Sequence, residues 1–178
     1  MEKDLVKISK YLSYVLRHKP DSIGLKLDEQ GWALIDELIE KTVDVALTRD
    51  LVDLVVETSD KRRFAIGGNG NHIRANQGHS IEVDLQLSVV IPPDYLLHGT
   101  AERNVKSIGE SGLTKGSRHH VHLTESLAVA KAVGSRYGKP VIFTVDARRM
   151  HLDGYSFYKT VNNVWLTESV PSQYLKRT

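Results

Sequence analysis

Apolar residues recur at three- and four-residue intervals in three stretches of the first 60 residues, which is the spacing of one buried helical face. The first stretch predicts a helix that ends shortly after Arg17-His18, because a proline follows at position 20. The other two stretches predict short helices around 34–39 and 51–55. Thr48 is placed to cap the last of these helices.

The next segment changes from helical to extended patterning. Two β-forming runs, 63–66 and 72–74, flank a Gly-Gly-Asn-Gly sequence that favours a turn, so they predict a β-hairpin. Three short helices followed by a hairpin are typical of a winged helix.

A domain boundary is predicted at Pro92–Pro93, because two prolines cannot lie inside a helix or a central strand. Apolar and polar residues alternate strictly over 81–88, which predicts a strand with one buried face just before the boundary. The expected domains are therefore 1–91 and 92–178.

In the second half the predicted strands outnumber the helices and the connections are short, which predicts a compact lobe and an α+β chain overall. Strands are predicted at 95–98, 119–123, 141–145 and from 164 to 166, and helices at 102–111 and 126–137. In the later helix, Leu127, Ala130 and Val133 are expected to share the buried face.

Composition limits the class of protein. The 178 residues include no cysteine, which excludes disulfides and thiolate metal sites. No run of 18 apolar residues occurs and the N-terminus has no apolar signal core, so a soluble cytoplasmic protein is expected. The net charge is −3 through Ile91 (12 Lys/Arg against 15 Asp/Glu) and +5 from Pro92 (12 against 7). A basic second half suits an anionic ligand, although an ordinary solvated surface explains the charge equally well.

Two candidate sites lie in the first half. Arg17-His18 offers a bidentate anion clamp beside a titratable proton donor, but cations here would equally complement the helix dipole. The loop sequence IRANQGHS (73–80) gathers hydrogen-bond donors around one glycine, and these suit a phosphate. A polar surface loop is the alternative. The candidate contacts to phosphate or RNA in this loop are Asn76, Gln77, His79 and Ser80.

Two further candidates lie at strand ends in the second half. In LLHGT (96–100) a polar triplet follows an apolar strand, and its glycine permits close backbone approach. In SRHHVHL (117–123), His120 and His122 would share a strand face and could hold a metal. No metal is expected, because the chain has no HExxH sequence and no carboxylate at a useful spacing to serve as a third ligand beside the two histidines. The histidines are then ligand contacts or buried hydrogen-bonded groups, and Arg118 is placed to face an anion.

Several common nucleotide and acyl-transfer sequences are missing. The chain has no P-loop, no GxGxxG fingerprint and no GxSxG elbow. Any nucleotide must therefore be bound in another way.

The sequence resembles the RNA 2′-phosphotransferase family, whose members complete fungal-type tRNA splicing and also occur in many bacteria. The resemblance covers nearly the whole chain, and its motifs occur in the family's order. The matching segments are LSYVLRHKP (12–20), LDEQGW (27–32), IRANQGHS (73–80), LLHGT (96–100), SRHHVHLT (117–124) and VNNVWLT (161–167).

The resemblance implies an N-terminal winged-helix lobe that binds RNA and a C-terminal ADP-ribosyltransferase-like lobe that binds NAD⁺. It also implies a two-step reaction. The RNA 2′-phosphate attacks the anomeric carbon of the nicotinamide ribose and expels nicotinamide. The ribose 2″-hydroxyl then attacks the phosphorus, giving RNA with a 2′-hydroxyl and ADP-ribose 1″,2″-cyclic phosphate.

The resemblance also implies site residues. The family's essential Arg-His-Arg-Arg set corresponds to Arg17, His18, Arg74 and Arg118. The arginines would clamp phosphoryl oxygens, and His18 would assist the second step. The NAD⁺ contacts implied are His98, Gly99, Thr100, one of His120 and His122, Ser126 and Val164. Many mono-ADP-ribosyltransferases have a glutamate where this chain offers Val164, so protein ADP-ribosylation is disfavoured.

Other functions are compatible with parts of the sequence. A DNA-binding winged-helix regulator would account for the first half alone. The net charge of that half is −3, which disfavours binding to the phosphate backbone of DNA. An ADP-ribosyltransferase acting on nucleic acid phosphate ends or another acceptor would share the fold and the first step. The expected partners are RNA with an internal 2′-phosphate and NAD⁺, with no metal, no membrane and a monomeric protein.

Overall fold

The computed structural model describes residues 1–178, and the chain divides into two compact units, Met1–Gln86 and Leu87–Thr178. Each unit has its own apolar core, and each combines helices with small antiparallel sheets. The chain is therefore α+β, as the sequence predicts. Pro92 and Pro93 lie inside the second unit.

The first unit contains the three predicted helices, α1 (Glu2–Arg17), α2 (Ile35–Lys41) and α3 (Arg49–Glu57). Helix α1 ends where predicted, and a 3₁₀ turn over Pro20–Ile23 follows it. The Thr48 hydroxyl accepts the backbone N–H of Leu51, which confirms the predicted cap. The residues of α1 that enter the core are Ile8, Leu12, Val15 and Leu16.

The sheet of this unit has three antiparallel strands in the order β1-β3-β2. The predicted hairpin is present as β2 (Phe64–Ile66) and β3 (His72–Ala75). Strand β1 (Ala33–Leu34) has only two residues, too few to show an alternating pattern, and the sequence did not predict it. It pairs with β3 and leads directly into α2.

The strand predicted over 81–88 is wrong. Burial does alternate there, with Val83 buried and the acidic residues exposed. The alternation of apolar and polar residues therefore reflects an extended segment that packs one side against the protein. No ladder forms, because the Asp84 carboxylate accepts the backbone N–H of Gln86 and Gln86 adopts a left-handed φ of 53°. This turn interrupts the extended chain. Alternation alone cannot distinguish a paired strand from an extended segment.

The second unit contains eight strands and three α-helices, so strands outnumber helices as predicted. The strands are β4 (Leu96–Ala101), β5 (Leu113–Thr114), β6 (Val121–Leu123), β7 (Pro140–Val145), β8 (Phe157–Lys159), β9 (Trp165–Thr167), β10 (Ser169–Val170) and β11 (Leu175–Arg177). They form two three-stranded antiparallel sheets, β11-β7-β4 and β6-β9-β8, and one two-stranded ladder, β10-β5. A bridge between Leu97 and Thr124 connects the two larger sheets.

The helices of the second unit are α4 (Val105–Ser111), α5 (Leu127–Gly134) and α6 (Ala147–Leu152). The predicted helix over 126–137 is α5 followed by a 3₁₀ turn, Ser135–Tyr137. Its expected buried face is partly wrong, since Leu127 is 47% exposed. Ala130 and Gly134 are the residues that face the core, because α5 lies so close to β4 that only small residues fit at the contact.

Candidate functional site

The C-terminal end of α1 is attached to the segment that follows β3. The Arg17 carbonyl accepts the backbone N–H of Ser80 at 3.0 Å. The Nδ1 of His18 lies 2.8 Å from the Ser80 hydroxyl oxygen. The Arg17 side chain runs past Gly78, where a Cβ would lie 3.5 Å from its Cζ. The structure therefore brings Arg17 and His18, one candidate feature of the sequence, together with Ser80 of another.

Arg74 lies on β3, and its guanidinium is held over an aromatic ring. Its Cζ is 4.6 Å from the centre of the Trp32 ring, which is a cation–π contact. Burial lowers the pKa of Arg74 and the nearby Asp28 carboxylate raises it, with burial the larger effect. Arginine remains charged at neutral pH despite such a shift. Arg74 is thus a positioned cation within reach of solvent.

Trp32 is positioned by a turn in the segment 27–32. One oxygen of Asp28 accepts the backbone N–H groups of Gln30 and Trp32, each at 2.9 Å. This Asx-type turn needs Asp28 at its start and Gly31 in the left-handed region, where its φ is 84°. Trp32 is not among the site residues predicted from the sequence. The Asp-x-x-Gly-Trp spacing is the signal that predicts the turn.

Two of the four loop residues predicted to contact phosphate are buried. The Asn76 amide donates to the Arg62 carbonyl at 2.6 Å, and its backbone N–H donates to the Arg63 carbonyl. Arg62 has a φ of 42°, so Asn76 stabilises a strained turn before β2. His79 is 3% exposed and packs beside Gly31. Both geometries favour a supporting role, whereas Gln77 is half-buried and Ser80 is exposed.

In the second unit, the side chain of His98 on β4 is hydrogen-bonded to the backbone of β6. Its Nδ1 lies 3.0 Å from the His122 carbonyl oxygen, so that nitrogen is the donor. Burial lowers the pKa of His98, and the hydrogen bond to His122 opposes this effect. A neutral imidazole with the proton on Nδ1 has its Nε2 as an acceptor. The Nε2 of His98 is therefore suited to accept a hydrogen bond from a ligand hydroxyl.

The two residues after His98 serve the packing of the unit. A Cβ at Gly99 would lie 1.8 Å from the Ala130 carbonyl oxygen, so the absence of a side chain lets α5 approach β4. The predicted close approach at Gly99 is therefore made by the protein's own helix. Thr100 is buried, and its hydroxyl accepts from the Asn104 amide at 3.1 Å.

Arg118 and the two histidines lie at the start of β6. Arg118 is exposed, and its Nη1 is 3.4 Å from Nδ1 of His122. His120 lies just before the strand, which begins at Val121, and its ring packs against Tyr158 with centroids 5.4 Å apart. Burial lowers the pKa of His120 as the largest effect, with Glu168 acting in the opposite direction. Only His122 is on the strand itself.

The remaining predicted residues open α5 and β9. Ser126 is the N-cap of α5, and its hydroxyl accepts the Val129 backbone N–H at 3.2 Å. Val164 closes the turn before β9, where its N–H donates to the Thr160 hydroxyl at 3.1 Å. Nearby, the Glu125 carboxylate accepts from the Trp165 indole and lies 3.6 Å from the Lys159 ammonium. Glu125 is not among the site residues predicted from the sequence.

The chain contains no group of three or more His, Asp or Glu side chains arranged to hold a metal ion. None of its helices has the length and apolar character needed to cross a membrane.

Comparison with known proteins adds to this geometry. Residues 3–169 match the family described as RNA 2'-phosphotransferase, Tpt1 / KptA family. Relatives named "Probable RNA 2'-phosphotransferase" include a protein of Nostoc punctiforme, 54% identical over 97% of both chains. One from Pseudomonas fluorescens is 51% identical over 99% of both chains. One from Streptomyces coelicolor is 51% identical over 96% of this chain and 94% of its own.

Proposed function

Because the chain belongs to the RNA 2′-phosphotransferase family and is therefore a transferase, we propose that it removes an internal 2′-phosphate from RNA, with NAD⁺ as second substrate. The observation that carries this proposal is that cationic and titratable side chains of the first unit are held in place by contacts within it. Arg17 and His18 are attached to the segment carrying Ser80, and Arg74 is held over Trp32. Three cationic or titratable groups fixed in this way suit a doubly charged phosphate monoester.

The proposed reaction has two steps. An oxygen of the RNA 2′-phosphate forms a bond to C1″ of the nicotinamide ribose, and nicotinamide leaves with the electron pair of the broken C–N bond. The 2″-hydroxyl then attacks the phosphorus and gives up its proton, and the RNA 2′-oxygen leaves and takes up a proton. The products are 2′-hydroxyl RNA, nicotinamide and ADP-ribose 1″,2″-cyclic phosphate.

The architecture supports a division of labour between the units. The three helices and hairpin of Met1–Gln86 support a winged-helix lobe for RNA. The two three-stranded antiparallel sheets of Leu87–Thr178 support an ADP-ribosyltransferase-like lobe for NAD⁺. The net charges of −3 and +5 fall on these same units.

The arginines are assigned to the phosphate. Arg17, Arg74 and Arg118 would hold phosphoryl oxygens, so that the nucleophilic oxygen is oriented in the first step and developing charge is neutralised in the second. Arg74 is partly desolvated, and its charge therefore acts through a lower effective dielectric than a fully hydrated cation would. The acceptor of the first step is already an anion, so that step needs no general base.

His18 is assigned to the second step. A proton must reach the RNA 2′-oxygen as its bond to phosphorus breaks, and imidazole is the side chain best matched to such a transfer at neutral pH. The contact between Nδ1 and Ser80 orients the ring.

NAD⁺ is assigned to the set of His98, Gly99, Thr100, His120 or His122, Ser126 and Val164. The residues present fit a nucleotide, because His98 is largely desolvated and its Nε2 can accept a hydrogen bond from a ribose hydroxyl. Gly99 acts by letting α5 pack against β4, and Ser126 by capping α5. Val164 offers no carboxylate, which suits an acceptor that is already ionised. Of the loop residues, Ser80 and Gln77 are assigned to RNA, and Asn76 and His79 to supporting the loop.

Alanine variants test these roles. Arg17→Ala, Arg74→Ala and Arg118→Ala should each lower turnover about 100-fold or more, as loss of one charge-stabilising donor does. Arg103→Ala, which removes an exposed arginine of the second unit, is the matched control. Wild-type turnover of Arg118→Ala would remove that residue from the site. ADP-ribosylated RNA as the final product of the wild-type protein would favour the alternative, an ADP-ribosyltransferase acting on nucleic acid phosphates.

A further inference from the structure

Helix α1 has a line of exposed cations on its outer side. Lys3, Lys7, Lys10 and Tyr14 follow one another at intervals of four, three and four residues. At 100° per residue these four positions fall within about 60° of the helix circumference. All four side chains are exposed, and Tyr14 is 50% exposed. We call this set the α1 stripe.

The cations of the stripe are not neutralised within the chain. None of the ion pairs in the structure involves Lys3, Lys7 or Lys10, and the acidic Asp4 is paired with the N-terminal amine. The stripe leads along the helix to Arg17, about 21 Å from Lys3 at 1.5 Å per residue. It therefore ends at Arg17 and His18, which are assigned to the 2′-phosphate.

The other helices of the unit have the opposite charge. Helix α3 has three carboxylates and one cation, Arg49, which is paired with Asp53 and donates to the Gly70 carbonyl. In a helix-turn-helix arrangement the corresponding helix commonly enters the groove of a nucleic acid. Here it would repel a phosphate backbone, and α2 likewise has three carboxylates and one lysine. Of the three helices, only α1 has more cations than carboxylates.

We propose that the α1 stripe binds the single-stranded RNA that flanks the 2′-phosphate, with the lysines contacting successive backbone phosphates. This inference rests on the proposed function, because it uses Arg17 and His18 as the place where the 2′-phosphate lies. The axial separations of about 6 and 4.5 Å between the lysines follow the helix rise and let each long side chain reach a separate phosphate. The negative net charge of the unit then restricts the RNA to this side.

Tyr14 favours a single strand over a duplex. An exposed tyrosine between Lys10 and Arg17 offers a ring on which an unpaired base can stack, as in single-strand-binding proteins. The bases of a duplex stack on one another and cannot use such a ring. The stripe accordingly tracks the backbone, while the ring contacts one base without reading its identity.

Equilibrium binding tests the stripe directly. The probe is a fluorescein-labelled 12-nucleotide unstructured RNA with one internal 2′-phosphate, titrated without NAD⁺ at several salt concentrations. Log K, where K is the association constant, falls linearly with log salt. In Lys3→Gln/Lys7→Gln/Lys10→Gln the magnitude of this negative slope should decrease by about 2, at roughly 0.7 per lost contact. The same loss predicts roughly 100-fold weaker binding at about 0.1 M salt. Glutamine keeps the helix propensity of lysine, so α1 is preserved.

The control variant is Lys26→Gln/Lys106→Gln/Lys139→Gln, which removes the same charge from exposed lysines elsewhere. It should bind the 12-mer with a nearly wild-type slope. Tyr14→Ala should weaken binding about tenfold, and Tyr14→Phe should not. Equal losses in the two triple variants, or none in either, would overturn the proposal.

Turnover of a dinucleotide with the 2′-phosphate separates this inference from the proposed function. The stripe variant should process the dinucleotide at the wild-type rate, because that substrate is too short to reach the lysines. A large loss on the dinucleotide would show that the lysines act at the reaction centre and would overturn the stripe. If no RNA is turned over by the wild-type protein, the proposed function fails, and the salt slopes still decide whether the stripe binds RNA.

Discussion

The Nδ1 of His18 lies 2.8 Å from the hydroxyl oxygen of Ser80, although the two residues are 62 positions apart in the chain. His18 follows the last residue of α1, and Ser80 follows the segment that leaves β3. The backbone N–H of Ser80 also donates to the Arg17 carbonyl, so the backbones of the two segments are hydrogen-bonded beside the side-chain contact. The ring orientation of His18 therefore depends on a residue outside its own helix.

Ser80→Ala should slow the second step and leave the first nearly unchanged. Loss of the hydroxyl removes one hydrogen bond to the His18 ring, which at about 1 kcal/mol corresponds to roughly a five- to tenfold slower step. ADP-ribosylated RNA should then accumulate in single-turnover reactions. Ser80→Thr keeps the hydroxyl and serves as the control. An unchanged ratio of the two rates would show that Ser80 does not position His18.

Trp32→Leu should weaken RNA binding through Arg74. The substitution removes the ring under the guanidinium, a contact worth about 1–2 kcal/mol when partly desolvated, so KM for the RNA should rise roughly tenfold. Trp32→Phe keeps an aromatic face and should recover most of the affinity. If Trp32→Phe were as impaired as Trp32→Leu, the aromatic contact would not be the cause.

Gly99→Ala should destabilise the protein, because the new Cβ would overlap the Ala130 carbonyl oxygen at 1.8 Å. Helix α5 would have to move away from β4, at a cost of about 3 kcal/mol in unfolding free energy. Gly109→Ala is the matched control, since a Cβ at that helical position meets no atom within 4 Å. It should be neutral or stabilising by about 0.5–1 kcal/mol. Denaturant unfolding measures both variants, and equal stability would contradict the packing role of Gly99.

His98 should make stability depend on pH in the acid range. Burial lowers its pKa in the folded state below the ordinary value of 6.5, so the unfolded chain binds more protons between those two values. The unfolding free energy should therefore fall as pH decreases below about 6.5. The asparagine of His98→Asn can still donate to the His122 carbonyl but does not titrate. Between about pH 7.5 and 5.5 the unfolding free energy of this variant should therefore fall less than that of the wild-type protein. An identical pH profile in both proteins would show that His98 is not the group responsible.

Turnover should not require a divalent metal, because three arginines are assigned to neutralise the phosphate charge. Activity should be unchanged in excess EDTA after dialysis against the chelator. Loss of activity that one divalent metal restores would contradict this expectation.

The sequence predicted the elements whose signals are local. The apolar spacing of α1, the Thr48 cap of α3 and the β2–β3 hairpin all depend on residues close in the chain, and all three are confirmed. The extended segment 81–88 was mistaken for a strand because pairing depends on a partner that alternation does not reveal.

Long-range contacts set the limit of prediction at the site. Arg74 lies over Trp32, and His18 lies beside Ser80, because of the fold. The members of each pair are far apart in the chain, and no local sequence pattern links them. The glycine in LLHGT predicts a close backbone approach to a ligand, which stays a prediction, and the structure shows that the Ala130 carbonyl of α5 lies against this glycine. Residue types thus predict which side chains could act, whereas the contacts that hold those side chains in place depend on the fold.

The central claim is tested most directly by following the phosphate itself. A short RNA whose single internal 2′-phosphate is radiolabelled is incubated with the protein, with and without NAD⁺, and the RNA and nucleotide products are separated. The account predicts that, only with NAD⁺, the label leaves the RNA and appears in ADP-ribose cyclic phosphate, with one nicotinamide released per phosphate removed. Label that stays on the RNA, or that is released as inorganic phosphate without NAD⁺, would contradict it.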